Sequence, residues 1–201
     1  VRGLDSDSGE VPAEFVEQVR ALGLLPAPDH ERIRNIMVSP LTGRSGGRAD
    51  LWPVVERLDA GLIGAPEFAG LSGRFLFCLD DGRGDILARP VDLGLVAVDE
   101  GRAQLRYGSR AWGPIVPLDT AADELLATTR RFLRARGDGD DVCWHVDELP
   151  GETAVLGPVR PRDHRTELPE ARPEFGLVRQ LDGRLTEHRR VPDGRLCGAQ
   201  I

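Results

Sequence analysis

The stretch Arg34-Asn35-Ile36-Met37-Val38-Ser39-Pro40-Leu41-Thr42-Gly43 constrains this chain more than any other. A charged residue enters a short apolar run that spills into small residues, which predicts a buried strand over 33–38 and an open, flexible loop through Pro40 and Gly43–Gly47. Asp50 is placed to cap a helix running to about Leu62, with Pro53 in its first turn and Val54, Val55, Leu58 and Leu62 on one side. Arg74 to Leu79 then reads as a second strand, closed by Asp80-Asp81-Gly82-Arg83-Gly84.

The same reasoning extends along the chain. Val1–Leu4 reads as the tail of a strand and Asp5–Gly9 as a polar turn. Pro12 opens a helix with Phe15, Val16, Val19 and Leu22 on one face; Gly23 ends it, and Pro26–Asp29 forms a linker. Val91–Val98 and Arg102–Tyr107 read as strands joined by Asp99-Glu100-Gly101, giving a meander of at least three strands. Asp119 or Thr120 caps the longest helix, in which Ala122, Leu125, Leu126, Phe132 and Leu133 recur at helical spacing until Gly137. A shorter helix carrying Trp144 is predicted from about Asp141 to Leu149. Past Pro150-Gly151 the prolines at 158, 161, 169 and 173 mark a charged linker and a domain boundary. Glu174–Leu181 and Arg184–Val191 form a hairpin about Asp182-Gly183, and Leu196–Ile201 opens another helix. A lone hairpin is marginal in water, so its packing partner is expected downstream. Helices and strands in this succession give an α+β fold built of α/β layers.

Composition removes several function classes. The net charge is -7, and no basic stripe offers the counterion release on which nucleic-acid binding rests. No apolar run approaches the roughly 20 residues of a membrane span, and the acidic, polar start is unlike a secretory leader, so a cytoplasmic chain without nucleic-acid or membrane partners is expected. All 26 basic residues are arginine, which excludes Schiff-base lysines and the phosphate-loop lysine. Cys78, Cys143 and Cys197 are far apart, without a Cys-x-x-Cys pair, and read as buried small hydrophobes.

Residue patterns also carry plain structural readings. Asp80-Asp81-Gly82 reads as a turn rather than a catalytic carboxylate pair. Gly43–Gly47 lacks the strand-to-helix context of an anion-binding loop. His30, His145, His164 and His188 show no ligand spacing and read as mostly solvated, whereas Trp52, Trp112 and Trp144 read as anchors of core or interdomain packing.

Taken together, Val1-Arg2-Gly3, Arg34-Asn35, Ser39-Pro40-Leu41-Thr42-Gly43, Gly73-Arg74-Phe75-Leu76-Phe77 and Leu79–Asp85 resemble the sulfite/nitrite reductase superfamily. The likeness is greatest to its oxygen-dependent, cobalamin-pathway branch, the precorrin-3B synthases. It implies a half domain with a mixed sheet and flanking helices over residues 28–157. Residues 1–27 would be the end of one ferredoxin-like subdomain, and 158–201 a linker and the start of a second. The implied activity is that of an oxidoreductase, the O2- and NADH-dependent hydroxylation of precorrin-3A with lactone formation.

Carried over position by position, the resemblance implies that Arg34 and Arg74, with Asn35 and the weaker candidate Arg2, contact the tetrapyrrole substrate. Planar guanidinium groups suit its many carboxylates. The reductases place a second basic residue two positions after the one matching Arg74; here it is Leu76, which disfavours small oxyanions such as sulfite. The family's 4Fe-4S cluster and iron are expected to be held outside this chain, whose three cysteines cannot supply four thiolates. Other readings of the resemblance are half of a sirohaem-dependent sulfite or nitrite reductase and a non-catalytic tetrapyrrole-binding module. On the enzymatic readings the chain is expected to be part of a longer enzyme and weakly active or inactive by itself.

Overall fold

The computed structural model describes residues 11–25, 27, 30, 33–150, 153–169, 171 and 175–191. Arg2, Cys197, the N-terminal strand tail and turn, and the helix expected at 196–201 lie outside them. Its elements are α1 (Ala13–Ala21), β1 (Ile36–Val38), α2 (Trp52–Ile63), β2 (Phe77–Asp80), β3 (Leu93–Ala97), β4 (Arg102–Tyr107), β5 (Ala111–Pro117), α3 (Leu118–Ala135), β6 (Gly176–Arg179) and β7 (Leu185–His188). The result is an α+β chain with a mixed sheet and flanking helices, as expected at that level.

β1 to β5 lie side by side in sequence order in one five-stranded sheet. β1, β2 and β3 run parallel, and β4 and β5 return antiparallel, so the sheet changes character at β3. Alternation along the strands decides which face is covered by helices. Ile36, Val38, Phe77, Leu79, Leu93, Leu95, Ala103, Leu105 and Tyr107 share one core with Leu58 and Leu62 of α2 and Leu125 and Phe132 of α3. The Phe75 ring joins it, 5.3 Å from Phe77 and 5.0 Å from Phe132, at the tilted angles aromatic pairs favour. The opposite face carries a small core of Met37, Leu76, Cys78, Ile86 and Val91.

Several boundaries differ from the sequence reading. The first strand begins at Ile36, because Ile33 is buried in a turn bonded back to His30. The second begins at Phe77, since the Ser72 hydroxyl accepts Arg74 N–H and the Ser72 carbonyl accepts Phe75 N–H, folding 72–75 into a turn. β5 is a strand that local sequence disfavours, because Gly113, Pro114 and Pro117 argue against one; it is tolerated at the sheet edge. The helix expected at 141–149 is replaced by short 3-10 turns at Gly139–Asp141 and Val146–Glu148, since the Glu148 carboxylate folds back onto the Trp144 and His145 N–H groups. α1 forms as expected but buries no residue.

The segment that composition marks as a linker lies against the sheet. Arg160 bridges to Trp112, the Gln104 side chain joins Pro161 and Asp163, and Leu156 and Thr166 are buried. The β6–β7 hairpin forms about Gly183 (φ 83°), and Leu181 N–H reaches the Arg44 carbonyl at 2.8 Å. Trp52 is 41% and Trp144 49% exposed, so neither anchors the core, whereas Trp112 is half-buried and packs against the proline-marked segment, with the Arg106 and Arg162 guanidiniums 5.9 and 4.9 Å from its ring. No helix among the described residues is long and apolar enough to cross a membrane.

Candidate functional site

Two of the parallel strands present their N-terminal ends to one open pocket of about 370 Å³, lined by Arg74, Leu76, Pro90, Val91, Asp92, His145, Asp147 and Glu148. Arg74 and Leu76 come from the turn into β2, and Pro90 to Asp92 from the approach to β3. The last three belong to the 3-10 turn after α3. The volume lies at the small end of ligand pockets and fits an acidic arm or the edge of a ring rather than a whole macrocycle.

At its base is Asp92, 2% exposed. One carboxylate oxygen accepts Leu76 N–H at 2.9 Å, and the other accepts Val146 N–H at 2.9 Å. His145 Nδ1 lies 3.1 Å from the second oxygen and 3.3 Å from the first. Burial raises the Asp92 pKa above its ordinary value, against the opposing pull of these N–H groups and His145. The carboxylate thereby joins the strand start, the turn and the imidazole into one unit.

His145 is not simply solvated, which corrects the sequence reading: its side chain is 40% exposed and its Nδ1 is fixed on Asp92. The turn that presents it is secured on both sides. Glu148 accepts N–H from Trp144 at 2.6 Å and from His145 at 3.1 Å, which lowers its pKa, while Asp147 accepts Ser109 N–H at 2.9 Å. Spacing alone could not reveal the pair, whose members are 53 positions apart. The available signal was Asp92 itself, a carboxylate inside the apolar run Val91–Val98.

The four residues expected at the site separate. Arg74 is exposed on the pocket wall, and among the described residues no carboxylate pairs with its guanidinium. The Asn35 amide donates to the Gly73 carbonyl and so tethers the turn bearing Arg74. Arg34 does not line this pocket: its Nε and Nη2 engage both oxygens of Asp59 on α2 at 2.6 and 2.8 Å, which raises its pKa. Arg2 lies outside the described residues.

The other charged motifs are tied up internally. Asp80 accepts Gly82 and Gly84 N–H at 2.8 and 3.0 Å, as an Asp-led turn requires, and Asp81 holds Arg83 through two hydrogen bonds. The 43–47 loop is exposed except at Ser45, whose carbonyl accepts from Arg83, and just after it Arg48 N–H bonds to the Asp81 carbonyl. His30 is buried against the Ala65 carbonyl, a second correction to the reading of solvated histidines. Cys78 is buried, which pushes its thiol up to about 11, and Cys143 is half-buried beside the Glu148 carbonyl. Among the described residues no group of three or more His, Cys, Asp or Glu side chains could hold a metal ion. They therefore offer no fit to an iron–sulfur cluster.

Compared with protein-family models, with curated proteins and with solved structures, the chain matches none of them.

Proposed function

We propose that this chain is part of a precorrin-3B synthase-like oxidoreductase of cobalamin biosynthesis, acting in the cytoplasm, and that the pocket beside Arg74 takes an acidic arm of its tetrapyrrole substrate. The observation that carries the reading is the Arg74 guanidinium, which has no carboxylate partner among the described residues and lines a pocket together with the apolar side chains of Leu76, Pro90 and Val91. A guanidinium fork is matched to a carboxylate, and the adjoining apolar wall suits the edge of a ring.

In this reading Asn35 positions Arg74 through Gly73, while Arg34 braces β1 against Asp59 and acts on the ligand at most indirectly. Leu76 lines the pocket at the position where the sulfite- and nitrite-reducing enzymes would carry a second cation, which favours a corrinoid precursor over a small oxyanion. NADH and the iron and cluster chemistry would be handled by parts of the enzyme outside the described residues.

Absorbance titration with uroporphyrin, a stable polycarboxylate mimic, tests the reading. Arg74→Ala should weaken binding by about tenfold or more, the worth of one charge-assisted hydrogen-bonded pair, whereas Arg34→Ala should change it far less. No binding by the wild type, or equal binding by Arg74→Ala, overturns the proposal.

A further inference from the structure

The pocket holds a second group that the arginine reading does not use. His145 lines it with Nδ1 turned onto the buried Asp92, and among the described residues no hydrogen bond is made by Nε2. An ionised carboxylate at Nδ1 selects the tautomer with the proton on that nitrogen, which leaves Nε2 as a bare lone pair. Such a lone pair repels a carboxylate arriving at Arg74. A proton on Nε2 turns it into a charged donor, and the Asp92 carboxylate beneath balances the new charge.

We propose that Arg74 and His145 form a single proton-coupled carboxylate subsite, in which a ligand carboxylate binds together with one proton taken up from solvent on His145 Nε2. This deepens the reading of Arg74 as a carboxylate anchor and rests on it. No covalent bond changes: the proton moves from solvent to Nε2, and the ligand remains a carboxylate between imidazolium and guanidinium. The groups that share the pocket with the ring are Asp92; Asp147 and Glu148, on its own turn; and Arg74 with Leu76, from the turn into β2. Glu148 and Asp147 are each held by backbone N–H groups. Arg74 supplies the charge that attracts the ligand. The subsite therefore takes up a carboxylate and a solvent proton together, and it releases both as pH rises.

Propionate, a minimal acidic arm, provides the test by NMR of the His145 ring nitrogens in the whole chain. At about pH 8 the free protein should show the Nδ1–H tautomer, and saturating propionate should convert the ring to imidazolium. The apparent affinity should fall as pH rises, approaching about tenfold per pH unit where one proton is taken up on binding. His145→Gln should bind with little pH dependence, and Asp92→Asn should lose the Nδ1–H tautomer. A ring that stays neutral in the presence of propionate, or an affinity indifferent to pH, overturns the inference. If uroporphyrin binding depends on Arg74 while propionate leaves the ring neutral, the subsite falls and the tetrapyrrole reading stands; the opposite pattern keeps the subsite and removes the macrocycle.

Discussion

Replacing Asp92 by alanine should destabilise this chain far more than replacing the histidine it supports. The Asp92 carboxylate accepts two backbone N–H groups, from Leu76 and Val146, and is 2% exposed. Each N–H left without a partner costs about 1–3 kcal/mol. Water entering from the open side of the pocket recovers part of that, so a loss of about 2–4 kcal/mol is expected. For a chain of this size that corresponds to a drop in Tm of roughly 5–15 °C. His145→Ala removes one hydrogen bond from a side chain that is 40% exposed and should cost about 0.5–1.5 kcal/mol, because the backbone N–H of residue 145 keeps its bond to Glu148. Urea unfolding of the two single variants and the double variant measures both losses and their coupling. If His145→Ala costs as much as Asp92→Ala, or if Asp92→Ala costs less than about 1 kcal/mol, the claim that Asp92 organises the pocket fails.

Other substitutions probe the rest of the fold. Phe132→Ala, at a fully buried ring 5.0 Å from Phe75, should cost about 3–5 kcal/mol in urea unfolding, whereas Trp144→Ala, half exposed, should cost well under 2. Gly82→Ala should cost about 1–3 kcal/mol, because φ is 91° there and a Cβ would come within 2.9 Å of the Ala97 carbonyl; an unchanged midpoint would refute this. Cys78, with its thiol pushed up to about 11, should alkylate far more slowly in the folded chain than in urea, as followed by mass spectrometry at neutral pH. Burial raises the pKa of Asp85, so the folded chain binds a proton there more readily than the unfolded one. That contribution is complete below the unfolded value of about 3.9 and is lost as pH rises through the folded value, so the stability of wild type relative to Asp85→Asn should improve from pH 7 to about pH 4.

The sequence by itself determined the elements whose cause is local. The apolar face of α3, the Asp-Gly turns, the β6–β7 hairpin about Gly183 and the paired strands about Asp99–Gly101 follow from periodicity and turn chemistry that neighbouring residues carry. Tertiary structure decided what depends on distant partners. The Ser72 turn excludes Arg74 from β2, Asp59 engages Arg34, and Glu148 unwinds an expected helix into a turn that presents His145. Asp92 and His145 meet because the approach to β3 and the turn after α3 converge on the same end of the sheet. No local pattern encodes such a meeting: a buried carboxylate acquires its partners when the chain closes around it, and the pocket exists only after that closure.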